Sequence, residues 1–132
     1  MGNRKRVLLI DDEKDLCALT KKLLEKISNY TVATATSGQE GLQLAKEDKP
    51  DLIVLDIIMP GMNGFEVLEE LKKDISLAAV PVIILSGKSD EASRVKALEL
   101  YNEMFLIKPV TAQELKTKID EIFKIRMRGN NL

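Results

Sequence analysis

The chain has 132 residues, 45% of them hydrophobic and 31% charged, with 20 basic against 21 acidic side chains and a formal net charge of −1. That length suits one domain with a sizeable core, and the charge balance argues against direct nucleic-acid binding. Histidine is absent, which excludes imidazole metal ligation, histidine base catalysis and histidine phosphorylation on this chain. The single cysteine, Cys17, offers no disulfide framework, so a reducing, cytoplasmic setting is expected. No apolar run approaches the roughly 20 residues of a membrane span, and no membrane insertion is expected. The basic start is followed only by Val7 to Ile10 before two aspartates, too short for a signal-peptide core.

The first predicted strand, Val7–Asp11, runs into the acidic pair Asp11-Asp12. Leu16, Leu19, Leu23 and Ile27 then form one helical stripe, with Cys17 packing along the same helix. Tyr30–Ala35 reads as the second strand, and Ser37 with Glu40 as a capping box opening a helix that contains Gly41, Leu42 and Leu44. The third strand, Leu52–Asp56, ends in a carboxylate, with Pro60 and Gly61 just beyond. Phe65, Leu68 and Leu71 mark a third helix, Val80–Ser86 a fourth strand, and Val95, Leu98 and Leu100 a fourth helix. The fifth strand, Glu103–Ile107, is closed by Lys108 before Pro109. Thr111 and Glu114 cap a long last helix carrying Leu115, Ile119, Ile122 and Phe123, and Gly129-Asn130-Asn131 reads as its fraying end.

Strands and helices alternating in this way predict an α/β fold, a (βα)5 three-layer sandwich around a parallel sheet. The first, third and fourth strands are continuous apolar runs, as expected where helices cover both faces. Parallel strands present their C-terminal tips at one edge, where such folds bind ligands. Asp11, Asp12, Asp56, Ser86 and Lys108 therefore converge there. Taken singly, each is an ordinary cap, turn or surface residue; their placement after four separate apolar runs carries the signal. Three carboxylates without soft or imidazole ligands suit Mg²⁺, with Mn²⁺ as the alternative. A cation would offset their repulsion, leaving Asp56 as a nucleophile able to carry a phosphoryl group. Lys108 and Ser86 can then meet phosphoryl oxygens with an ammonium and a hydroxyl.

Four segments carry a family resemblance: Leu9-Ile10-Asp11-Asp12-Glu13, the run Asp56-Ile57-Ile58-Met59-Pro60-Gly61-Met62-Asn63-Gly64, Leu85-Ser86-Gly87, and Phe105-Leu106-Ile107-Lys108-Pro109. With them the chain resembles the response-regulator receiver domain from about Lys5 to Lys124. The resemblance implies a flavodoxin-like, five-stranded sheet of order 2-1-3-4-5. It implies Asp56 as phosphoacceptor, with Asp12, Asp56 and the Ile58 carbonyl as metal ligands and Asp11 acting through metal-bound water. It also implies Ser86 and Phe105 as switch residues, Lys108 as the phosphoryl contact, and a cis Lys108–Pro109 bond. Tyr101-Asn102-Glu103 departs from the Gly-Ala-Asp often found there, and Met104 adds an apolar side chain nearby. The missing glycine touches none of the implied phosphate ligands, and neither change bears on the implied phosphorylation.

The expected organisation is a single receiver domain over 1–132, with a core from about 5 to 124 and a short tail over 125–132. The expected function is acceptance of a phosphoryl group from a sensor histidine kinase or histidine phosphotransfer protein. A surface made by the fourth and fifth strands and the helices after them would then switch. Its reader would be a downstream protein partner, or an output domain absent from this chain. Such a protein catalyses its own phosphorylation and dephosphorylation without being a turnover enzyme. The alternative is a phosphorylation-independent interaction module. An aspartate phosphatase of the haloacid-dehalogenase type would want a second acid near Asp56, and a flavin site a phosphate loop after the first strand; both are missing.

Overall fold

Alternation of side chains along every strand divides the core into two layers. In β1 (Arg6–Ile10), Leu8 and Ile10 point to one face while Val7 and Leu9 point to the other; β3 (Leu52–Asp56) and β4 (Val82–Ser86) repeat the division. These strands are apolar throughout because both faces are covered. With β2 (Thr31–Ala35) and β5 (Met104–Ile107) they form one parallel sheet of order β2-β1-β3-β4-β5, as expected. The computed structural model describes residues 4–87 and 104–130; the expected fourth helix, with Val95, Leu98 and Leu100, and the departure at Tyr101-Asn102-Glu103 lie outside the described residues.

One face is covered by α2 (Gly38–Glu47) and α3 (Gly64–Lys73), through Leu42, Ala45, Val67, Leu68 and Leu71. The other is covered by α1 (Lys14–Ile27) and the C-terminal helix (Ala112–Asn130), through Cys17, Leu24, Leu115, Ile119 and Ile122. The result is a flavodoxin-like three-layer sandwich. No helix among the described residues is long and apolar enough to cross a membrane.

The caps follow the side-chain chemistry. Ser37 Oγ accepts the Glu40 N–H at 3.1 Å, while the Glu40 carboxylate reaches the N–H of Thr36 rather than that of Ser37. Thr111 Oγ1 accepts the Glu114 N–H at 3.0 Å.

The first two strands differ by one residue from expectation, β1 ending at Ile10 rather than Asp11 and β2 starting at Thr31 rather than Tyr30. Three larger details differ from the sequence reading. The stripe Leu16, Leu19, Leu23 and Ile27 marks the helix correctly but lies on its outer side, Leu19 being 52% exposed. The helix instead seats Cys17 and Leu24, seven residues apart, against the sheet. Val80 and Pro81 precede β4: Val80 is buried from a turn, its N–H donating to the Leu77 carbonyl, so it contributes packing without strand pairing. The C-terminal helix continues through Gly129 and Asn130, where the sequence suggests a frayed end.

Candidate functional site

The register of the sheet places the reactive groups. Asp56 pairs with Leu85 as the last residue of β3, Asp11 follows Ile10 at the end of β1, Ser86 ends β4, and Lys108 follows β5. All five predicted groups, Asp12 included, meet at the C-terminal edge. Carboxylate oxygens of Asp11, Asp12 and Asp56 lie within 4.8 Å of one another. Asp11 and Asp56 are nearly buried, at 3% and 4% exposure, which is a costly position for two like charges.

Lys108 offsets that cost. Its Nζ lies 3.2 Å from Asp56 Oδ2 and 3.5 Å from Asp11 Oδ2. Burial works against the ammonium, yet the Asp56 and Asp11 carboxylates more than compensate and hold its pKa above the ordinary lysine value. For Asp56 burial prevails: it pushes the carboxyl up to about 6, helped by Asp11 and opposed by Lys108 and by the N–H of Ile58. Asp11 is further held by the N–H of Glu13, which donates to Oδ1 at 3.1 Å.

Ser86 is fully buried, and its hydroxyl has no hydrogen-bond partner among the described residues. A buried, unpaired hydroxyl is unfavourable by itself, and here it stands at the same edge as Asp56. The Lys108–Pro109 peptide bond is cis. Ile58 is exposed beside the cluster, with its side chain directed to solvent. Phe105, opposite Ile84 in the β4–β5 register, is half-buried against the core layer of α2 and α3. Cys17 is buried, its thiol donating to the Asp11 carbonyl at 3.2 Å and pushed up to about 11, chiefly by burial. It is a packing residue, not a nucleophile.

The loop after Asp56 depends on residues to which the sequence reading assigned no task. Gly61 has φ of +74°, in the left-handed region. Gly64 lies so close to the strand end that a Cβ there would meet the Ile57 Cα at 2.5 Å and the Asp56 carbonyl oxygen at 2.7 Å. Asn63 and Glu66 form a reciprocal capping box that fixes the start of α3. That box was visible as Asn63-x-x-Glu66, whereas the close approach of Gly64 depends on tertiary packing and has no local signal.

The donor set fits a hard divalent cation: three carboxylates, two of them buried, grouped beside an ammonium already committed to two of them. Such an acidic cluster on this fold is typical of phosphoacceptor sites.

Comparison with known proteins agrees. Residues 7–120 match the model of the response regulator receiver domain. The alkaline phosphatase synthesis transcriptional regulatory protein PhoP of Bacillus subtilis is 35% identical over 91% of this chain and 49% of its own length. The protein PilH of Pseudomonas aeruginosa is 35% identical over 89% of this chain and 96% of its own. A CheY-like response regulator receiver domain protein from Methanospirillum hungatei superimposes with a TM-score of 0.86 at 28% identity, over 96% of this chain and 99% of that one. The chain spans about half the length of the first curated relatives it matches.

Proposed function

The chain belongs to the response-regulator receiver family of two-component signalling, and from that premise we propose that Asp56 accepts a phosphoryl group from a phosphohistidine and that the acyl phosphate resets the partner-binding surface. The observation that carries this reading is the pairing of Asp56 with Lys108 at 3.2 Å inside the Asp11–Asp12–Asp56 cluster, with the Ser86 hydroxyl, unpartnered among the described residues, at the same edge.

An Asp56 carboxylate oxygen attacks phosphorus; the new P–O bond forms as the P–N bond to the donor imidazole breaks, and that electron pair leaves with the nitrogen. Asp56, at about 6, is largely ionised at neutral pH and so available as nucleophile. Asp12, Asp56 and the Ile58 carbonyl would hold Mg²⁺, with Asp11 acting through water, and the ion would supply charge neutralisation for the transferring group. The Lys108 ammonium turns from the carboxylates toward a phosphoryl oxygen, and the Ser86 hydroxyl donates to another. Hydrolysis of the acyl phosphate returns the carboxylate.

The donor is a sensor histidine kinase or a histidine phosphotransfer protein. The apolar stripe on α1 supports this, because it is exposed and begins at the site: Leu16 shares a cavity of about 320 Å³ with Asp11 and Lys108. Movement of Ser86 toward the phosphoryl group frees space behind β4, into which the half-buried Phe105 can shift. The signal then leaves on the β4–β5 side, toward a downstream protein or an output domain in a longer chain.

Intact mass after incubation with acetyl phosphate and Mg²⁺ tests the reading. One added phosphoryl group is expected, absent in Asp56→Asn and absent in chelator. Undiminished modification of Asp56→Asn, or undiminished modification in chelator, would refute it.

A further inference from the structure

Basic residues from opposite ends of the chain meet at the edge of the sheet away from Asp56. Lys5, just before β1, and Arg126, late in the C-terminal helix, line one cavity of about 210 Å³ together with Lys49. Two of these cations are held in place. Lys5 Nζ stands 5.6 Å from the centre of the Phe123 ring, and Arg126 Nη2 donates to the Ala79 carbonyl at 2.8 Å. The acid in the lining, Asp51, is already engaged, its Oδ2 accepting the Arg6 N–H at 2.7 Å. The lining therefore sets three cations beside apolar surface from Phe123 and Pro81.

We propose that this pocket docks an acidic segment of a partner protein, one apolar side chain entering the cavity while neighbouring Asp or Glu carboxylates meet Lys5, Lys49 and Arg126. Charge complementarity selects the partner's sign, and the cavity's size limits the anchor to about one side chain. A nucleic acid fits less well. The Phe123 ring already has Lys5 over one face and a T-shaped contact with Tyr30 at 5.5 Å, which leaves less of it for stacking a base. The chain as a whole also carries slightly more acid than base. Because strand N-termini line this pocket and strand C-termini carry Asp56, the two surfaces can be engaged together, giving the domain a docking site independent of its phosphorylation.

The test is a titration of the ¹⁵N-labelled full chain with a Glu/Asp-rich decapeptide carrying one central leucine, followed by amide NMR. Shifts should concentrate at Lys5, Lys49, Ala79, Phe123 and Arg126. Binding should weaken about tenfold on charge reversal at the exposed Lys49, Lys49→Glu, and also when glycine replaces the peptide's leucine. Arg126→Lys, which keeps the charge, should retain most of the affinity. The proposal is overturned if millimolar peptide leaves these amides unmoved, or if Lys49→Glu binds equally well. It is also overturned if a single-stranded oligonucleotide of equal charge binds the same residues as tightly as the peptide.

Discussion

Lys108 Nζ sits 3.2 Å from Asp56 Oδ2, so the cation proposed to meet the phosphoryl group is, before phosphorylation, the counter-charge of the phosphoacceptor. It also reaches Asp11 at 3.5 Å. This arrangement fixes the sign of a substitution that sequence alone leaves open. Removing the ammonium exposes two nearly buried carboxylates to each other, and that cost exceeds any gain from no longer desolvating a lysine that is 27% exposed in its side chain.

Lys108→Met is accordingly expected to destabilise the metal-free protein by about 1–3 kcal/mol at pH 7.5. The raised lysine pKa sets only the alkaline limit: the lysine's own titration leaves the pair intact up to its ordinary value and removes it as pH rises through the raised one. Protonation of Asp56 sets the acid limit. The variant's deficit should shrink toward pH 4, where Asp56 becomes protonated. Urea denaturation at several pH values measures it; a variant as stable as the parent at pH 7.5 would remove Lys108 from this role.

Asp56→Asn should do the reverse. A carboxyl raised from 3.8 to about 6 favours the protonated native state, so its unfavourable contribution appears as pH rises from 3.8 through 6 and is complete above that window. Replacing it by the neutral amide, with Lys108 still paired to Asp11, should stabilise the metal-free protein at pH 7.5 by on the order of 2 kcal/mol. Near pH 4 the gain should nearly vanish. Denaturation curves in chelator decide; a net loss of stability at pH 7.5 contradicts the raised pKa.

The parts of this site that the sequence made legible are those set by strand period and chain order. Asp11, Asp56, Ser86 and Lys108 each follow an apolar run, and parallel pairing then has only one edge on which to place them. What stayed hidden depends on rotation and close approach. The leucines of α1 have helical spacing, but spacing does not say which side of a helix turns inward; the small Cys17 lets α1 seat there, and Leu16, Leu19, Leu23 and Ile27 are left outward. Val80 illustrates the opposite error, a buried apolar residue that belongs to a turn. Likewise, nothing in the string Met62-Asn63-Gly64 says that a backbone passes within contact of Gly64.

Gly64→Ala follows from that contact. Its Cβ would collide with backbone atoms of Ile57 and Asp56, which cannot swing aside as a side chain can. A loss of about 2–4 kcal/mol is expected, together with weaker Mg²⁺ binding because the Ile58 loop is displaced. Thermal melting with and without Mg²⁺ gives both quantities, and wild-type values for each would show that the strand end has room to move.

Ser86→Ala separates stability from signalling. Before phosphorylation the hydroxyl is fully buried with no partner among the described residues, so deleting it removes an unsatisfied polar group and leaves only a small void. The unphosphorylated variant should match the parent or exceed it by about 1 kcal/mol. After phosphorylation the balance reverses, because the parent gains a charge-assisted hydrogen bond from Ser86 to a phosphoryl oxygen and the variant does not. Asp56 should still be modified in Ser86→Ala, since the nucleophile, the acidic cluster and Lys108 are intact. The shape change should be reduced, however, because the two packings of β4 and β5 are then no longer distinguished by that bond. Phe105, facing Ile84 across the register, is the reporter: its amide and ring resonances should shift on phosphorylation of the parent and much less in the variant. If Phe105 responds equally in both, the hydroxyl does not trigger the switch; if it responds in neither while Asp56 is modified, Phe105 is fixed core packing.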